Sequence, residues 1–468
     1  MSEFRRAGVR MFHRLHFYAG VLVAPFLLIA AVTGALYALA PSIENFVYRD
    51  QLHTSSTGPE QSLAAQVRAA QTTVPDLTVN AVRPPVAAGD TTRVLFDDPS
   101  LGESERRAVF VDPVTARPLG DLPVYGSASA LPLRTWLDRL HRQLHLGDTG
   151  RLYSELAASW LWVVVVAGLV LWFTRARTRR RKTGRARTIG RHGLIGVWIA
   201  VGLLFLSATG LTWSTYAGAH ITDLRSALSW STPATDTALP GAPAAAPPGN
   251  EHADHGGMSM PMPGDAAGDT STAIPQIDAA LALAKSAGVS DGVEITLPAD
   301  TRTAFTVTQV RRSWQFSTSS VAVDPSSDSV TSVNRFSDWP LPAKLAAWGI
   351  ALHMGLLFGI TNQILLLVLA LALIAMIVLG YRSWFQRARR DRLVGRAPQP
   401  GALRRAPLPL VVAVAAVAVA IGWFAPLFGW PLLAFVIVDV TVSAVRGRRR
   451  PTGDDPDVQD TREPAAVG

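Results

Sequence analysis

Six apolar runs constrain this chain more than any other feature: Phe17–Ala40, Leu156–Phe173, Leu194–Trp213, Leu345–Leu379, Leu408–Phe424 and Phe428–Val445. Each is near or above the about 20 residues that cross a hydrocarbon layer as a helix, and the fifth and sixth turn on Ala425-Pro426. Over 468 residues, 49% are hydrophobic and only 17% charged, a balance that fits a chain whose solvent is largely lipid. Lys and Arg exceed Asp and Glu by nine, but the surplus sits in short clusters abutting the apolar runs. That placement argues for membrane topology and against nucleic acid.

The clusters fix the sides. Arg5, Arg6, Arg10 and Arg14 precede the first run, Arg175 to Arg187 follow the second, Arg382 to Arg405 the fourth, and Arg446 to Arg450 the sixth. Six spans with both termini in the cytoplasm put every cluster on that face. The first run is longer than a signal-peptide core and has no clear cleavage site, so it reads as a retained anchor. The expected product is a polytopic α-helical protein of a bacterial cytoplasmic (inner) membrane. Its parts are an N-terminus and first span (1–41), an extracytoplasmic domain (42–150), a second span (151–174), a basic loop (175–191), a third span (192–214), a second extracytoplasmic domain (215–340), a fourth span (341–381), a basic loop (382–407), a hairpin of two spans (408–445) and a cytoplasmic tail (446–468). Both large loops carry short alternating segments such as Arg107–Val111 and Phe305–Val310, and each reads as a small α+β domain. Within the second, 233–272 is rich in Ala, Pro, Gly, His and Met and reads as an insertion that cannot bury a core.

The two halves repeat. His16 and Gly20 open the first span and Thr33-Gly34 close it; His192, Gly196 and Thr209-Gly210 repeat this at the same spacing in the third. Val109-Phe110-Val111-Asp112-Pro113 matches Val321-Ala322-Val323-Asp324-Pro325, and Leu144-His145-Leu146-Gly147 matches Leu352-His353-Met354-Gly355. The unit is helix, domain, helix, twice, with a pseudo-twofold axis along the membrane normal.

There is no cysteine, which excludes disulfides, iron–sulfur clusters and thiol chemistry. Redox work then falls to histidine or to a bound cofactor. His16 with His192, and His145 with His353, are expected as two pairs at opposite membrane surfaces. Paired neutral imidazoles suit axial ligation of haem iron, and the glycines on the same helix face leave room for a flat macrocycle or for close helix packing. His13 and His141, each one turn before a paired histidine, rank second, because they align with Ile189 and Gly349 rather than with histidine. His220 reads as structural. The alternative for all of them is a place in the interfacial layer.

These motifs together resemble the PepSY-associated transmembrane family, also labelled iron-regulated or iron-uptake membrane proteins, over about residues 10–385. The resemblance implies PepSY-type loop domains and, in some members, inner-membrane reductases that pass electrons through b-type haem to periplasmic ferric siderophores. Carried over residue by residue, it gives His16 and His192 the cytoplasmic haem, and His145 and His353 the outer one. The segment with His252, His255, Met258, Met260 and Met262 departs from the pattern. It mixes the ligands that suit copper in both oxidation states, or it is a solvated linker. No P-loop or dinucleotide fingerprint is present, so the electron donor is expected to be a quinol or a separate reductase. The leading expectation is therefore a membrane-bound ferric or cupric (siderophore) reductase with two haems. Against it stands a haem-free scaffold whose PepSY-like domains bind peptide, protease or copper. A metal transporter is disfavoured because the spans lack interior carboxylates and thiols.

Overall fold

The computed structural model describes residues 3–175, 184–239, 270–290, 292–391 and 408–448. In chain order its elements are α1 (Glu3–Leu22), α2 (Ala24–Ala38), α3 (Ala40–Val47), α4 (Arg49–Leu52), α5 (Leu63–Gln71), β1 (Thr78–Arg83), β2 (Thr92–Asp97), β3 (Glu105–Val111), β4 (Pro118–Tyr125), α6 (Pro132–Gln143), α7 (Gly147–Arg175), α8 (Arg185–Thr212) and α9 (Tyr216–Ala227). There follow α10 (Ile277–Ser286), β5 (Val293–Thr296), β6 (Phe305–Gln309), β7 (Ser320–Asp324), β8 (Ser329–Asn334), α11 (Leu341–His353), α12 (Ile360–Asp391), α13 (Leu408–Phe424) and α14 (Pro426–Arg448).

Three helices, α7, α8 and α12, are long and apolar enough to cross a membrane; α1 and α2 make a fourth span if their bend of 59° lies within it. This is a multi-pass membrane protein. Pro25 enforces the bend: it has no N–H to give the Val21 carbonyl one turn back, and its ring crowds that turn. The Tyr381 hydroxyl donates to the stranded Val21 oxygen instead, at 3.0 Å. Helices α13 and α14 are apolar but shorter, and their backbones touch where Gly422 meets Gly429, a contact with no space for a Cβ.

The apolar run expected as one span over 345–379 is two helices. Gly355 and Gly359 adopt positive φ of 73° and 56° and break it, so that α11 ends at His353 and the spanning helix begins at Ile360. Composition stays apolar across the break, which is why hydropathy does not register it; the left-handed glycines do.

The two loops, expected as two separate small domains, share one antiparallel sheet in the order β4-β3-β2-β1-β5-β6-β7-β8. The seam is β1 against β5, with Ala81 opposite Thr296 and Val82 opposite Ile295. One core runs beneath both halves, from Val67 and Ala70 of α5 through Val79, Val94 and Val109 to Ile277 and Ala280 of α10 and Ile295, Val307 and Val321. At the seam Arg83 and Arg106 clamp Glu294, at 2.6 and 3.1 Å, with all three side chains no more than 12% exposed. Burial works to raise the Glu294 pKa, but the two guanidiniums overcome it and hold the carboxyl down at about 2.

Candidate functional site

The imidazoles of His16 on α1 and His192 on α8 face each other with ring centroids 6.1 Å apart and planes at 72°. His16 Nδ1 lies 2.9 Å from the Val164 carbonyl on α7, and His192 Nδ1 lies 2.8 Å from the Met376 carbonyl on α12. A carbonyl only accepts, so each Nδ1 carries the proton and each Nε2 keeps its lone pair, the tautomer a metal ligand needs. Glycine backs both rings. A Cβ on Gly168 would meet His16 Cε1 at 3.1 Å, and one on Gly380 would meet His192 Cε1 at 3.6 Å.

At the other end of the bundle two further imidazoles are anchored through Nδ1, here by threonine. Thr33 Oγ1 donates to the Ile29 carbonyl at 2.8 Å and lies 2.9 Å from His141 Nδ1. Thr209 Oγ1 donates to the Phe205 carbonyl at 2.8 Å and lies 2.6 Å from His353 Nδ1. Each hydroxyl has one proton, already committed to its own helix, so each imidazole donates from Nδ1 and, as a neutral ring, has its lone pair on Nε2. Gly34 seats His141, at 3.1 Å from a would-be Cβ to Cε1. Trp213 packs edge-on to His353 at 5.1 Å, and His141 is close enough to act electrostatically on His353.

His141, on α6, shares with His353 the threonine anchor; the sequence reading ranks it second to His145. His145 lies beyond α6 at φ +56°, with its ring against Trp136 at 5.0 Å. The register explains the difference. Val109–Asp112 and Val321–Asp324 stand 212 positions apart, and so do Val164 and Met376, Gly168 and Gly380, and His141 and His353; the Leu-His-x-Gly match slips four residues from that offset. Extending the loop register would have found His141, and with it Gly168 and Gly380, which sequence reasoning passed over.

Among the other singled-out residues, His13 lies one turn before His16 on α1, and it is the His16 ring that meets His192. Gly196 sits against the Met376 sulfur and Gly210 against Ala158, as helix-packing glycines, while Gly20 has nothing within 4 Å of a would-be Cβ. His220 fixes α9 to the end of α13 through the Phe424 carbonyl at 2.8 Å. His252, His255, Met258, Met260 and Met262 lie outside the described residues.

Chemically, each seat offers two neutral nitrogen donors and no carboxylate. Among the described residues, no three or more His, Asp or Glu side chains gather as they would around a bare ion. Two such donors suit an iron that brings four ligands of its own in a flat ring. Two imidazoles with ring centroids 6.1 Å apart leave room for one metal bonded to a nitrogen of each at about 2 Å. The residues fit the group. A bulkier side chain at the back of the seat should spoil it: Gly168→Val is expected to push the His16 ring from its carbonyl partner and to lower metalloporphyrin affinity at least tenfold in a titration of the purified protein.

The family model for the PepSY-associated TM region matches residues 13–387, which bears out the resemblance read from the motifs. No curated protein matches the chain.

Proposed function

The chain belongs to the PepSY-associated TM region family, and from that premise we propose that it is a transmembrane electron-transfer protein that holds two b-type haems and reduces a ferric siderophore or another oxidised metal outside the cytoplasm. His16 and His192 would hold one haem, His141 and His353 the other. The observation that carries the reading is the shared chemistry of the four histidines: half-buried, presented by four different helices, each with Nδ1 bonded to an oxygen so that the neutral ring has its lone pair on Nε2. Bound haem would supply the reversible one-electron chemistry. The protein's own residues orient the rings, raise their basicity through the Nδ1–H bonds, and exclude water. From His16 to Thr33 is at most about 25 Å of helix, so the two seats lie toward opposite faces of one bilayer.

In this reading the unit is duplicated and α13 and α14 complete six spans, with both termini cytoplasmic. The offset between equivalent residues is 176 from His16 to His192 and 212 from His141 to His353; the 36 extra residues match the His- and Met-rich insertion, which would offer copper a site in the periplasm. The antiparallel pairing of β1 with β5, equivalent strands of the two halves, is what a twofold axis between them requires.

A second reading, a haem-free scaffold whose sheet domains bind peptide, is favoured by an open cleft of about 600 Å³ beside α11, bordered by Arg312, Trp314, Phe316 and Trp348. Purifying the chain from membranes and recording its visible spectrum separates the two. A Soret band that shifts on reduction is expected, and His16→Ala with His192→Ala should lose the same share of it; a colourless protein that still inserts would leave only the scaffold.

A further inference from the structure

Resting on the electron-transfer reading, we infer that the groove between α2 and the last turns of α12 is the docking site of the electron donor, and that the donor is a membrane quinol. The groove, of about 510 Å³, is lined by Leu28, Ile377, Val378, Tyr381, Phe385 and Gln386, among others. Its volume suits a substituted ring with the start of an isoprenoid tail. Val378 and Phe385 are 55% and 59% exposed on a helix that crosses the membrane, so it opens toward lipid, where such a donor is dissolved.

Its position is set by the histidine seat. Ile377 follows Met376, whose carbonyl holds His192 Nδ1, and Tyr381 follows Gly380, which backs the His192 ring. The groove and the imidazole therefore occupy adjoining faces of one helical turn. On the far side Phe17, next to His16, meets Trp384 edge-on at 6.5 Å. Tyr381 is held rigid by its bond to the oxygen that Pro25 strands.

What chooses a quinol over an acyl chain is an orphan acceptor. Gln386 Oε1, on the groove wall, is buried and has no hydrogen-bond partner among the described residues, and the nearby Trp384 Nε1 is in the same condition. A buried amide oxygen without a donor is costly, and a hydrocarbon tail has none to give. A phenolic O–H supplies it. Oxidation of one quinol would release two electrons and two protons: a haem iron held by His16 and His192 would be the oxidant, taking the electrons one at a time, and the protons would pass to water at the groove's exposed end, beside Arg382.

The test uses the purified full-length chain in nanodiscs and a photoactivatable short-chain benzoquinol kept reduced under anoxia, with labelled peptides mapped by mass spectrometry. Saturable labelling of 377–386, weakened about tenfold by Gln386→Leu and abolished by Leu28→Trp, is expected. Absence of saturable labelling there, or labelling displaced equally well by a diacyl lipid probe, overturns the proposal. A Soret spectrum on the same samples distinguishes failure here from failure of the haem reading, because labelling needs no bound haem.

Discussion

His141→Ala is expected to remove about half of the bound haem, whereas His145→Ala leaves the spectrum unchanged. Only His141 donates from Nδ1 to Thr33 and rests on Gly34; His145 packs on Trp136 beyond the end of α6. With one of its two histidines gone the seat would hold haem weakly, so the pyridine haemochrome yield should fall from two per chain toward one. His353→Ala should do the same, and the double variant should lose no more than either single one, since both empty one seat. Equal loss in His145→Ala and none in His141→Ala would restore the Leu-His-x-Gly alignment and remove the argument from register.

The largest stability effect is expected at the sheet seam. Glu294→Ala leaves Arg83 and Arg106 buried beside each other without a counter-charge, at a cost of about 3–5 kcal/mol, a large share of what holds an ordinary domain together. Hydrogen exchange of 78–83 and 293–296 should rise together while the membrane helices stay protected. The same clamp sets an acid limit. A carboxyl held at about 2 against its usual 4.5 contributes its full stabilisation above about pH 4.5, of order 3 kcal/mol, and loses it as pH falls toward 2. Glu294→Gln should flatten that part of the acid titration; an unchanged titration would mean the clamp adds nothing to the seam.

Much of this was legible in the residues, and the parts that were not share a cause. Apolar length alone marks α7 and α8, and the spacing His16 to Thr33 repeated from His192 to Thr209 places two helices in equivalent roles. The break between α11 and α12 was hidden because both sides of it are apolar; only Gly355 and Gly359, permissive of positive φ, mark it. The four-residue Leu-His-x-Gly match favours His145, whereas the longer register of Val109–Asp112 carries the offset that leads to His141. The shared sheet had no local signature at all. Pairing of Val82 with Ile295 and of Arg83 with Glu294 joins segments more than 200 positions apart, and strand partners at that separation are chosen by the packing of the whole.

The seam between β1 and β5 bears on what half of this protein would be. A chain that ended before α8 would keep α5 and four strands, but would present β1 as a bare edge with Arg83 and Arg106 facing no acid. Such an edge recruits another strand, and the nearest match is β1 of a second identical chain. The fused arrangement removes that hazard by carrying the complementary strand, with its glutamate, in the same polypeptide.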